Sequence, residues 1–249
     1  MRKRVAACFF CMLLISMGFT AQTNTNSVNV QFIRSIPLGV GVWDSVTLDF
    51  LNKALGPNDI IAYRPQNEGL MSAPTTARKM LVFGDQDYGQ AATLIQDAKT
   101  MGAALIGFNL EGQLTREELL EKAREVGKLV KEADLRYMFG PKVADLEKYF
   151  PALSRIANIL LFQSQNFQIQ PNYKQTLGMA IARIKKMNPN VRVWVQVSVN
   201  PPGNRTLTVE QVLKNIAAVA DMADGIFLFY NPTRWDVAKD VIIKLRSGQ

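Results

Sequence analysis

The sequence predicts a parallel (β/α)8 barrel, and three observations carry that reading. From Ile36 to Arg246, short β-branched or aromatic runs alternate with longer stretches of helical spacing. That alternation is the pattern of parallel strands joined by right-handed crossovers. Eight strand candidates can be counted, those from Met80 onward the clearest, and eight such units close most simply into a barrel. Several strands also carry one wholly apolar face and one face that turns polar at its C-terminal end. This suits a barrel wall packed on helices outside and opening into a site at its mouth. An open doubly wound sheet is the rival. No Gly-x-Gly-x-x-Gly follows any strand, which weakens dinucleotide binding.

The chain opens as an export signal. Met1–Arg4 is basic, Val5–Phe19 is apolar but short for a bilayer span, and a cut after Ala21 fits the small residues there. An uncleaved anchor is the alternative; after cleavage no stable membrane insertion is expected. Residues 22–35 read as a flexible lead-in, Asn/Thr/Gln-rich at first. Residues 36–249 form the barrel domain.

Ile36–Trp43 is the first strand, and Asp44 caps a helix running to Leu55. Gly56-Pro57-Asn58 stops that helix. Asp59–Arg64 is the second strand, followed by an irregular segment, Pro65–Arg78. Met80–Gly84 is a strand and Gly89–Met101 a helix. Ala103–Glu111 is the strand on which the functional reading turns. Thr115-x-x-Glu118 fits a capping box for the helix Arg116–Glu132. Leu135–Phe139 is a strand, and Val143–Ala157 a helix that Pro151 breaks or jogs. Ile159–Gln163, Val191–Val199 and Gly225–Tyr230 complete the strands. Asn172–Met187, Thr208–Met222 and Thr233–Arg246 are their helices.

Composition excludes several chemistries. The chain has no histidine, and its two cysteines, Cys8 and Cys11, lie in the signal. Disulfides, thiol nucleophiles, Ser-His-Asp triads and His-ligated zinc are thereby removed from the exported part. No metal and no cofactor is expected. Three of the 29 basic residues fall in the signal, leaving 26 against 21 acids. No Lys/Arg block interleaved with aromatics occurs, so nucleic acid is set aside as a partner.

Side chains alternate along a strand. In Ala103–Glu111 this puts Leu105, Gly107, Asn109 and Glu111 on one face and Ala104, Ile106, Phe108 and Leu110 on the other. In Val191–Val199 every odd position is Val, and Arg192, Trp194, Gln196 and Ser198 share the opposite face. Ile159, Leu161, Gln163 and Gln165 share a third. Parallel barrel strands end at one rim, so Asn109, Glu111, Gln163, Gln165, Gln196 and Ser198 should converge there, joined by Tyr230 and Asn231 after the last strand. A polar layer satisfied by itself would look the same. Amides offer donors and acceptors as hydroxyls do, so the rim suits a carbohydrate or other polyhydroxylated ligand.

Glu111 is the candidate general acid. Its bland alternatives are a solvated loop carboxylate turning at Gly112, or a partner of Arg192 or Lys142. Two-carboxylate hydrolysis needs a second acid at roughly 5–10 Å, and Asp85 is the supply, with Asp87 beside it. Asp85 also reads as a helix cap. Lys142 reads as a solvated helix-start residue. Pro201–Arg205 reads as an anion-binding loop or a plain turn, and Asn204-Arg205-Thr206 is a glycosylation acceptor pattern.

The strand Ala103–Glu111 resembles the fourth-strand motif of chitinase-like secreted barrels, Asp-Gly-x-Asp-x-Asp-x-Glu. Aligned on the Glu, this chain has Ala104, Leu105, Gly107, Asn109 and Glu111, so Glu111 alone matches. The resemblance implies a glycoside-hydrolase-like barrel with Glu111 as proton donor and the substrate's acetamido group as nucleophile. Asn109 stands where that family has the Asp that orients the acetamido group, which impairs substrate assistance. Three expectations follow. The first is an exported glycoside hydrolase; the second is a non-catalytic carbohydrate-binding or scaffold barrel lacking the second carboxylate; the third is a phosphate-handling barrel using Arg205.

Overall fold

The computed structural model describes residues 30–111, 114–203 and 205–247. The stretch expected to be an export signal, residues 22–29 of the expected lead-in, Gly112 and Asn204 lie outside them. Eight parallel strands close into a barrel in sequence order. Helix α1 (Val30–Ser35) precedes β1 (Leu38–Gly41), then α2 (Ser45–Ala54), β2 (Ile60–Tyr63), β3 (Arg78–Gly84), α3 (Ala91–Thr100) and β4 (Leu105–Leu110) follow. The chain continues through α4 (Arg116–Glu132), β5 (Arg136–Pro141), α5 (Val143–Ile156), β6 (Ile159–Gln163) and α6 (Tyr173–Met187). It ends with β7 (Arg192–Ser198), α7 (Val209–Val219), β8 (Gly225–Phe229) and α8 (Trp235–Arg246).

Local chemistry starts the helices where the sequence places their caps. Asp44 Oδ1 accepts the Thr47 N–H at 2.7 Å. Thr115 and Glu118 close their box reciprocally, Glu118 Oε2 taking the Thr115 N–H at 2.7 Å. Thr208 and Gln211 do the same for α7. Two local expectations are corrected. Helix α5 continues through Pro151; the hydrogen bond that proline removes is outweighed by burial of Leu146, Phe150 and Leu153. The lead-in ends early, because Val30–Ser35 is helical and Ile33 is buried in the core. The irregular segment after β2 is a 3-10 stretch, Pro65–Ser72. Asn67 anchors it, accepting the Arg64 N–H at 2.7 Å and donating to Val42 O at 2.6 Å.

The core has two compartments. Ile106, Phe108, Leu110, Val193, Val195 and Val197 pack between the barrel and its helices. Ile60, Ala62, Met80, Leu105, Met138, Ile159, Trp194 and Phe227 fill the barrel itself. The alternation read from β4 and β7 therefore holds. The interior is closed by two large rings lying against two glycines. A methyl at Gly39 would sit 2.6 Å from Phe227 Cδ2, and one at Gly225 would overlap the Trp194 indole. These bulky residues stop the lumen from being a pore.

At the N-terminal end of the barrel, Asp59 and Arg246 form a buried fork, with Nη2 2.7 Å from Oδ1 and Nε 3.2 Å from Oδ2. Asp59 also accepts the N–H groups of Leu38 and Gly56. Arg246 donates to Arg34 O and Ile36 O. One ion pair thus ties α1, β1, β2 and α8 together.

A candidate ligand site at the C-terminal mouth

Strand register brings the polar ends of β4, β6 and β7 to one opening. Asn109 stands beside Gly140, and Gln163 beside Gln196. Their side chains are linked across strands. Gln163 Nε2 donates to Asn109 Oδ1 at 2.7 Å and to Gly140 O at 3.0 Å. Asn109 Nδ2 in turn donates to Glu111 Oε1 at 2.9 Å. A buried amide, a half-buried amide and an exposed carboxylate thus form a chain from the lumen to solvent. Its direction matters, since every donor points outward and the run ends on an acceptor. Glu111 partners neither Arg192, which opens β7 at the opposite end of the barrel, nor Lys142, among the described residues.

Asn109 and Gln196 line the same cavity, whose empty volume is about 700 Å³ with its open side included. Its floor is apolar, made by Met80, Val82, Met138, Leu161 and Phe227, and its wall includes Trp43, Arg64 and Tyr230. The Arg64 guanidinium lies 5.0 Å above the Trp43 ring, within cation–π range. A second cleft adjoins it, lined by Asp85, Asp87, Glu111, Arg64, Val82 and Asn109. Arg64, Val82 and Asn109 border both.

Several residues expected at this rim have other employment. Gln196 Nε2 donates to Gln165 Oε1, so these two amides engage each other. Ser198 is buried, and its backbone is gripped by Gln168 at 2.6 and 2.8 Å. Asn231 caps the following turn by accepting the Thr233 N–H at 3.2 Å. Tyr230 donates its hydroxyl to Gly41 O at 2.7 Å and packs against Trp235. Burial pushes its phenol well above the ordinary tyrosine value. The ring borders the cavity, but its hydroxyl is committed. The capping role foreseen for Asp85 belongs to Asp87, which accepts the Gly84 N–H at 3.1 Å. Asp85 is instead paired with Lys122 at 2.5 Å.

No family model matches the chain, and no curated protein matches it. Solved structures do. An active-site mutant of Rhizomucor miehei β-1,3-glucanosyltransferase in complex with laminaritriose superposes with a TM-score of 0.58 at 11% identity, covering 82% of this chain and 90% of that one. Deoxyribose phosphate aldolase from Aeropyrum pernix gives 0.57 at 12% identity, over 88% and 90%. The 3-keto-L-gulonate-6-phosphate decarboxylase of Vibrio cholerae gives 0.53 at 9% identity, over 86% and 100%. Their names span three kinds of chemistry, so what they share with this chain is the (β/α)8 barrel. In such barrels the loops at the C-terminal face carry function, which is the end where the amide chain lies.

Trp43 and Arg64 are the site residues that the sequence reading passes over. Trp43 lies two residues beyond β1 and Arg64 directly after β2, at the same C-terminal rim as Asn109. A short run such as Ile60–Tyr63 shows little alternation, being buried at every position. Its end is read at Arg64, one residue past the observed one, but nothing in the run marks Arg64 as lining a cavity. Among the described residues no three Asp, Glu, His or Cys side chains are grouped to hold a metal ion.

Proposed function

We propose that this barrel is an exported carbohydrate-binding protein that takes the end of a neutral glycan at its C-terminal mouth without cleaving it. The observation that carries the reading is the Gln163–Asn109–Glu111 chain, whose middle member Asn109 borders both the cavity walled by Trp43 and the cleft lined by Glu111. Amides and a carboxylate meet hydroxyls. Arg64, which covers the Trp43 indole at 5.0 Å, adds guanidinium donors on the same wall. The mixture of apolar floor and few polar groups is that of a small-molecule site.

Retention without cleavage follows from the second acid. Asp85 is the carboxylate that two-acid hydrolysis would recruit, and Lys122 occupies it. Glu111 is exposed rather than sunk in an apolar pocket. Hydrolysis with Glu111 as proton donor is the second reading, favoured by Glu111 and Asp85 bordering one cleft.

A panel of neutral oligosaccharides, beginning with β-1,3-gluco-oligosaccharides because a fold neighbour holds laminaritriose, separates the two when run beside chromogenic glycosides. Binding without release supports the proposal. Release abolished by Glu111→Gln supports hydrolysis. Neither binding nor release removes both.

A further inference from the structure

The N-terminal end of the barrel carries a layer of three arginines. Arg78, Arg136 and Arg192 are the first residues of β3, β5 and β7. Each has the parity of the inward-facing residues on its strand, Met80, Met138 and Trp194. Alternate strands of such a barrel build one layer, so three guanidiniums share a level where the layers above are apolar. A surface cleft beside them is lined by Arg136, Arg192, Asn158 and Asn190, with an empty volume of about 560 Å³, open side included.

Positive charge there is answered only in part, Asp59 acting on Arg78 from within its pair with Arg246. Among the described residues none of the three arginines belongs to an ion pair. The neighbouring acids are already engaged: Asp59 with Arg246 and Asp224 with Lys185. Burial, then Arg136 and Arg192, pull the Arg78 guanidinium below its ordinary pKa. Arg78 Nε is buried without a partner, while its Nη2 donates to Asn58 O at 2.5 Å.

We propose that this N-terminal cluster is a second ligand site, for a tetrahedral oxyanion of the phosphate or sulfate class, independent of the C-terminal mouth. Guanidiniums present planar forks that match such oxyanions, and the flanking amides of Asn158 and Asn190 add donors. Three like charges at one level, with only the shared Asp59 acting on Arg78, disfavour the empty state, and a dianion held by Arg136 and Arg192, the two that line the cleft, reduces that repulsion.

The test is calorimetric titration of the full chain with inorganic phosphate against chloride at matched ionic strength, repeated with glycerol phosphate. Saturable binding is expected. Arg136→Gln and Arg192→Gln should each weaken it about tenfold or more, as loss of a charge-assisted contact does, while Lys128→Gln on the outer helix α4 should not. Tighter binding of glycerol phosphate supports the site as one for an ester, and equal binding supports one for the free ion. Absence of saturable phosphate binding, or binding untouched in the double arginine variant, overturns the proposal. The arginine variants should also unfold in chloride no earlier than the wild type. Earlier unfolding would make the cluster structural and overturn it as well.

Discussion

Lys122 on α4 reaches across to Asp85 at the end of β3, Nζ to Oδ1 at 2.5 Å. On the proposed reading this pair keeps the barrel from cleaving, because it engages the carboxylate that shares a cleft with Glu111. Both side chains are partly exposed, at 24% and 36%, so the pair stabilises the fold by at most about 1 kcal/mol. Asp85→Asn should therefore leave thermal stability nearly unchanged and glycan affinity within about twofold, by calorimetry. A large loss of glycoside turnover in that variant would instead establish Asp85 as an assistant in hydrolysis.

Arg246 and Asp59 behave differently because they are buried, at 5% and 6% side-chain exposure. Removing one partner leaves an uncompensated buried charge, typically costing about 3–5 kcal/mol. Arg246→Met should lower the urea midpoint strongly. The double variant Asp59→Asn, Arg246→Met should recover part of that loss, since neither charge then remains alone. Equal stability of the single variant and the wild type would show the pair to be dispensable.

Gly225 and Gly39 are small because Trp194 and Phe227 are large. Gly225→Ala forces a methyl into the indole, and overpacking of this kind costs about 1–3 kcal/mol. Trp194→Leu in the same chain should relieve the clash. Thermal unfolding of the single and double variants measures this, and a Gly225→Ala protein as stable as the wild type would contradict the packing described.

Alkaline pH should destabilise the fold. Burial raises Tyr63 and Tyr173 to about 12, and it also pushes the buried Tyr137 well above the ordinary tyrosine value. In the unfolded chain a tyrosine loses its proton near pH 10. Above that value the folded state holds more protons than the unfolded, so stability falls as pH rises. It should be at its full level below pH 10 and decline from there toward pH 12. Unfolding midpoints between pH 8 and 12, read beside tyrosinate absorbance, check this. Absorbance that rises near pH 10 for all six tyrosines before unfolding would contradict it.

Much of this architecture is legible in the residues. The five alternating valines of Val191–Val199 and the apolar face of Ala103–Leu110 fix which side meets the helices. Thr115, Thr208 and Asp44 announce helix starts by side chains that act within three residues. What pattern does not reveal is choice of partner. Asp85 could pair or cap, and only the approach of Lys122 from 37 positions away shows that it pairs. Asn231 and Ser198 sit at strand ends like Asn109, yet local loops consume them. Trp43 and Arg64 follow strands too short to show alternation. The arginines of β3, β5 and β7 lie far apart in sequence, and only barrel closure sets them on one level.

The most direct measurement is binding of a neutral oligosaccharide, selected from a panel, to the wild type and to Asn109→Leu. Asn109 joins Gln163 to Glu111 and borders both clefts. The account expects a saturable wild-type isotherm, no release of reducing ends, and at least about tenfold weaker binding in the variant with its fold intact. Binding that survives Asn109→Leu unchanged, or no oligosaccharide bound at all, would contradict it.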